Sequence, residues 1–181
     1  ERYVAKVRSL PVGDPHDATT VIGPLINQRQ SDNLSRLVEQ GIEDGANPLL
    51  RGPADGTLFS PVVLADVTTG MRIAQAELFG PVVCLMRFDT EDEAVAMAND
   101  TPFGLSGAVH TRDLDHGAEL AKRLDTGMVH INDTSIDDQP LVAFGGTKNS
   151  GYGRLNGEWS LHEFTTHQWI SLNRGRRQYP Y

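Results

Sequence analysis

Between Val82 and Asn132 short apolar runs alternate with amphipathic segments, and this restricts the fold more than any other feature of the chain. Val82-Val83-Cys84-Leu85-Met86 starts β-branched and carries no charge, which reads as a strand buried on both faces. Thr90-Glu91-Asp92-Glu93 fits a capping box, with Thr90 as N-cap and Glu93 reaching back. Ala94, Val95 and Ala98 supply that helix's apolar face, and Asn99-Asp100-Thr101-Pro102 ends it. A strand over Leu105 to His110 follows. Asp113 then opens a helix with Leu114, Ala118, Ala121 and Leu124 inward and Gly127 closing it. Met128 to Asn132 is a third strand. This order and spacing predict a pair of right-handed βαβ units, hence an α/β fold on a parallel sheet.

Upstream, an opening helix ends before Leu10, and Ile22-Gly23-Pro24-Leu25 marks a break. The next helix carries Leu34, Leu37, Val38 and Ile42 on one face and Gln28, Arg29, Gln30 and Asp32 on the other, with Gly45 as its C′ residue. Leu58 to Val67 reads as a strand that Pro61 confines to a sheet edge, and Met71 to Ala76 as a short helical piece. Downstream, a short helix ends within Leu161 to Thr166. Gln168 to Asn173 alternates in character and predicts a strand suited to pairing with another sheet edge.

The 181 residues suffice for one domain with a real core. Sixteen basic against 24 acidic residues give a net charge of -8, and Arg174-Gly175-Arg176-Arg177 is the only local basic cluster. Nothing here invites nucleic acid or an anionic membrane, and no apolar run approaches the length of a membrane span. The single cysteine excludes an internal disulfide and points to a reducing compartment, the cytoplasm. Glu1 to Arg8 reads as mid-helix without an initiator methionine, so a piece of a longer protein is expected.

In open parallel sheets, ligands lie beyond the carboxyl ends of the strands. Asn132-Asp133-Thr134-Ser135 and the loop Asn99 to Gly104 fall at such ends, and each reads either as part of a site or as a cap for the next turn. Glu77-Leu78-Phe79-Gly80-Pro81 sets a carboxylate and a ring at the mouth of the strand beginning at Val82. In Phe144-Gly145-Gly146-Thr147-Lys148-Asn149-Ser150-Gly151-Tyr152-Gly153-Arg154, four glycines demand tight bends or close approach. No Gly-Lys-Ser/Thr closes the run and no Gly-x-Gly-x-x-Gly is present. It therefore reads as a shaped loop presenting Phe144 into a pocket, not as a phosphate cradle.

Several residues invite chemistry and fail on inspection. Cys84 sits in an apolar strand with no histidine nearby and reads as structural. His162 and His167 are five apart, one too many for two ligands on one helix face, and no metal site is expected. His110 and His130 read as packed, hydrogen-bonded strand residues.

Four stretches together resemble the aldehyde dehydrogenase superfamily over nearly the whole chain. They are Glu77 to Val82, Asn99 to Ser106, Gly127 to Asn132, and Phe144 to Arg154 with the following Gly157. The Ile131-Asn132-Asp133 wording is similar to members acting on aromatic aldehydes, the benzaldehyde, salicylaldehyde and vanillin dehydrogenases. The resemblance implies oxidation of an aldehyde to a carboxylic acid through a cysteine thiohemiacetal, with NAD or NADP as electron acceptor. It places the nucleophile, the general base and most of the dinucleotide site upstream of Glu1, so this chain holds no catalytic residue of its own. Residues 1–167 then correspond to part of the catalytic domain and 168–181 to an oligomerisation tail whose strand pairs across subunits of a homo-oligomer.

By the same resemblance, Glu77 bonds the nicotinamide ribose hydroxyls, Phe79 flanks the nicotinamide, and Gln30 contacts the cofactor. Phe144 belongs to the substrate tunnel, and Asp133 to Asp137 line its entrance. Lys148 and Arg154 are structural. Ala143 stands where the family usually has proline, which leaves the loop before Phe144 less rigid. Two readings from other classes are a catalytically inactive structural or assembly module and a thiol hydrolase built on Cys84.

Overall fold

The computed structural model describes residues 1–180 and divides into two compact units, Glu1–Pro102 and Phe103–Tyr181. The first contains α1 (Arg2–Arg8), α2 (Gln28–Glu43), β1 (Asn47–Arg51), β2 (Ala54–Asp55), β3 (Leu58–Phe59), β4 (Val62–Ala65), α3 (Arg72–Gln75), β5 (Val82–Cys84) and α4 (Glu91–Asn99). The second contains β6 (Phe103–Gly104), β7 (Ser106–Val109), α5 (Leu114–Ala121), β8 (Met128–Ile131), β9 (Thr147–Lys148) and α6 (Gly157–Glu163).

The core of the first unit is α2 packed on a three-stranded sheet of order β1-β4-β5. Asn27 caps α2 by accepting the Gln30 N–H, and Gly45, the predicted C′ residue, takes φ +111° just beyond its end. Leu34, Leu37 and Val38 are buried with Val62, Leu64 and Ile73. β1 runs antiparallel to β4, and β4 parallel to β5 with Val62 opposite Val82 and Leu64 opposite Cys84.

Two expectations are corrected here. Leu58 to Val67 is not one edge strand: it splits at Pro61 into β3 and β4, and β4 is the central strand, with Val62, Val63 and Leu64 buried. The missing N–H of Pro61 falls before the ladder, which begins with Val62 N–H donating to the Pro81 carbonyl at 2.9 Å. The expected strand over 82–86 is shorter, half-buried and lies at the edge of its sheet.

The second unit contains the other parallel pair, β7–β8, joined through α5, with Ser106 opposite Met128 and Val109 opposite Ile131. The parallel units are therefore β4–α3–β5 and β7–α5–β8. The predicted chain of two consecutive βαβ units is realised only in its second half. Thr90 and Asp113 cap α4 and α5 as predicted. Glu93, however, reaches one residue further back and accepts the Asp89 N–H at 2.8 Å. Leu114 is 61% exposed, and Gly117 instead meets the sheet, since a Cβ there would lie 3.3 Å from Ile131 Cγ2 of β8. α5 ends at Ala121, so Gly127 is not its terminator; it is needed because its backbone runs against Gly145.

After α6, residues 164–180 form no helix or strand, so the expected strand over Gln168 to Asn173 has no ladder within this chain. Leu34, fully buried at the centre of the first unit, carries its packing. Leu34→Ala is expected to lower unfolding free energy by about 2–5 kcal/mol in a denaturant titration.

Candidate functional site

Glu77 to Pro81 joins α3 to β5, and its shape is set by what lies behind it. The Gly80 carbonyl accepts the Val82 N–H at 2.8 Å. A Cβ on Gly80 would collide with Leu34 Cδ2 and come within 3.3 Å of Leu25 Cδ2, so the turn rests its backbone directly on α2. Phe79, one residue earlier, takes φ +42°, a left-handed conformation that costs a residue with a Cβ about 1–2 kcal/mol. Its ring is 73% exposed, and Glu77 is exposed as well.

Gln30 stands in the first turn of α2. Its backbone N–H donates to Asn27 Oδ1 at 2.9 Å, and its side-chain Nε2 donates to the Leu78 carbonyl at 2.7 Å. The structure thus brings Gln30, Glu77 and Phe79 together within one unit, with Gln30 engaging the turn's backbone. An exposed carboxylate accepts hydrogen bonds from a diol, and a flat exposed ring offers a stacking surface beside it.

In the second unit a cavity of about 330 Å³ is lined by Met128, His130, Asp137, Asp138, Gln139 and Phe144, among others. The Phe144 and Leu155 backbones exchange hydrogen bonds of 3.0 and 2.8 Å, which fixes the ring's starting point despite Ala143. Arg154 Nη1 donates to the Gly146 and Gly153 carbonyls at 2.8 Å, and Lys148 pairs with Asp125 at 3.3 Å, so both serve the loop's shape. Asp133 lies outside the cavity lining and accepts its neighbour Thr134's N–H at 2.7 Å; Asp137, from the same expected stretch, lines it.

Asp138 and Gln139, which also line it, are not among the sequence candidates. Asn156, at φ +68°, donates to Asp138 Oδ1 at 2.8 Å and to the Gln139 carbonyl at 3.2 Å. The Asn156-Gly157 pair was the available signal, because asparagine tolerates that backbone. Asn132 resolves to the capping reading: at φ +60° its side-chain amide both accepts the Thr111 N–H and donates to the Thr111 carbonyl, each at 2.8 Å.

The remaining candidates fall away. Cys84 is half-buried, and burial pushes its thiol pKa up, which suits a structural role. His110 is exposed, not packed. The Nε2 of His130 is buried without a hydrogen-bond partner, against the expected bonded strand residue. Among the described residues no group of three metal-ligating side chains converges.

The sequence model of the aldehyde dehydrogenase family matches residues 1–170. The chain belongs to this family. The benzaldehyde dehydrogenase YfmT of Bacillus subtilis (strain 168) is 61% identical over 181 residues, all of this chain and 37% of that protein. The crystal structure of a salicylaldehyde dehydrogenase from Pseudomonas putida G7, complexed with salicylaldehyde, superposes with a TM-score of 0.94 at 34% identity, covering 99% of this chain and 37% of that one. A Mycobacterium tuberculosis aldehyde dehydrogenase complexed with NAD+ gives a TM-score of 0.86 at 40% identity, over 95% of this chain and 36% of the other. This aldehyde dehydrogenase chain therefore spans about 37% of the length of the relative it matches over all its residues, with a mixed α/β fold.

The raised thiol pKa leaves little thiolate near neutrality. Alkylation of Cys84 by iodoacetamide is expected to be slower at pH 7.5 than for a free thiol (pKa about 8.5) and to climb as pH rises further. Asn132→Ala removes two hydrogen bonds and strains a left-handed position, and is expected to destabilise the chain by about 2–4 kcal/mol in thermal or denaturant unfolding.

Proposed function

We propose that this chain is the carboxyl-terminal part of an NAD- or NADP-dependent enzyme that oxidises an aldehyde, with aromatic aldehydes as substrate class, to the carboxylic acid. The observation that carries this reading is the exposed Glu77 carboxylate beside the exposed Phe79 ring, on a turn whose backbone is held against α2. That pair fits a nicotinamide ribose: the carboxylate is an acceptor for vicinal hydroxyls, and the ring is a flat apolar neighbour for the base. Nicotinamide, when bound, supplies the two-electron acceptor for the oxidation. Glu77 orients the sugar, Phe79 limits where the base sits, and Gln30 supports both. Phe144 contacts the aldehyde, and the stretch from Asp133 to Asp137 leads into its pocket.

The nucleophilic cysteine and the general base lie outside this chain, in upstream polypeptide; the chain covers 37% of the Bacillus subtilis relative's length. Residues 1–167 are then part of the catalytic domain. The tail 168–181 pairs with a second copy in a homo-oligomer, a role supported by Trp169, Ile170 and Leu172, which are 93%, 71% and 82% exposed. The same tail favours a second reading, in which the chain on its own is an inactive assembly module. Cytoplasmic residence fits the lone cysteine, and among the described residues no helix is long and apolar enough to cross a membrane.

The chain alone is expected to form no NADH or NADPH with benzaldehyde, and turnover by it would overturn the upstream placing of nucleophile and base. Within the polypeptide extended to the relatives' length, Glu77→Gln is expected to raise KM for the dinucleotide about tenfold or more, the scale of a lost charge-assisted hydrogen bond. An unchanged KM and kcat would remove Glu77 from the site. Light scattering before and after deletion of 168–181 tests the tail, with a fall in mass expected.

A further inference from the structure

The nature of the Gln30 contact suggests a role different from cofactor binding. Gln30 occupies the third helical position of α2, behind the Asn27 cap. A glutamine there commonly turns back to the N-cap backbone N–H and closes a capping box. Here the side chain instead crosses 48 residues of sequence and donates to the Leu78 carbonyl at 2.7 Å in a part-buried setting. Leu78 immediately precedes Phe79, the residue held at φ +42°. On the other side of Phe79, Gly80 is pressed onto Leu34 with no space for a side chain. The strained residue is thus gripped at both flanks, by a hydrogen bond before it and a steric contact after it. A left-handed phenylalanine persists only where its surroundings over-determine it.

We propose that Gln30 is a positioning residue. It acts through the Leu78 carbonyl to hold Phe79 in its strained conformation, so that the Phe79 ring and the Glu77 carboxylate are presented outward together. This rests on the proposed function for the identity of the ligand, but the clamp itself is a property of this chain. Its reach is readable at two amides bonded to the turn's carbonyls: Val82 N–H to Gly80 and Val62 N–H to Pro81, at 2.8 and 2.9 Å. Further along the same ladder, Leu85 N–H donates to the Leu64 carbonyl at 2.7 Å and serves as an internal control.

The test is amide hydrogen exchange and carbonyl 13C NMR on the 181-residue chain and two variants, Gln30→Met and Gln30→Glu. Both keep the length of the side chain, and neither has the amide N–H. Expected in both are an upfield shift of the Leu78 carbonyl carbon and exchange about three- to tenfold faster at Val62 and Val82, with Leu85 nearly unchanged. A carbonyl shift and exchange rates equal to the parent's would overturn the clamp. So would acceleration of Leu85 in step with Val62 and Val82, which marks general loosening instead of positioning. The dinucleotide KM of Glu77→Gln in the extended polypeptide reads the ligand assignment separately. Exchange that responds to Gln30 while that KM stays constant would keep the clamp and discard the cofactor.

Discussion

Leu34 and the backbone of Gly80 meet with no room for a Cβ between them, and much of the first unit follows from that contact. It seats α2 on the start of β5 and so fixes where the parallel ladder with β4 begins. Leu34 is fully buried in one cluster with Val62 and Leu64 of the central strand. A turn pinned so tightly cannot relax into ordinary backbone angles. The left-handed Phe79 and its outward ring are the geometric consequence, stabilised by Gln30 at the preceding carbonyl. Burial behind the turn and exposure on it are one arrangement seen from two sides.

The second unit obtains its cavity by a related device. Gly127 passes against the Gly145 backbone, and Gly146 against Ser150, so the glycine-rich loop folds closely over the start of β8. Arg154 satisfies two of the loop's carbonyls, and Asn156 ties in the segment carrying Asp138 and Gln139. Phe144 then lines a cavity whose walls are held by main-chain bonds, which is how a rigid pocket can be made mostly of loop.

Local signals were legible where one residue decides the outcome. Thr90, Asp113 and Gly45 marked helix ends because capping and left-handed glycine are short-range effects. The stretch from Glu77 to Pro81 was legible as a turn because Gly80-Pro81 preceded an uncharged strand. What stayed hidden depended on partners distant in sequence. Pro61 suggested an edge, but whether β4 is central is decided by β1 and β5. Leu114 looked inward by spacing, yet Gly117 is the residue that meets the sheet. The bond from Gln30 to Leu78 spans 48 residues and leaves no periodic trace.

The central claim is that Glu77 and Phe79 hold the nicotinamide end of a redox dinucleotide. The most direct measurement is a crystal structure of the polypeptide containing this chain with NAD or NADP bound. Ribose hydroxyls within hydrogen-bonding distance of the Glu77 carboxylate, with the base beside the Phe79 ring, are the expected result. A dinucleotide bound with Glu77 turned to solvent and Phe79 remote from the nicotinamide would contradict it.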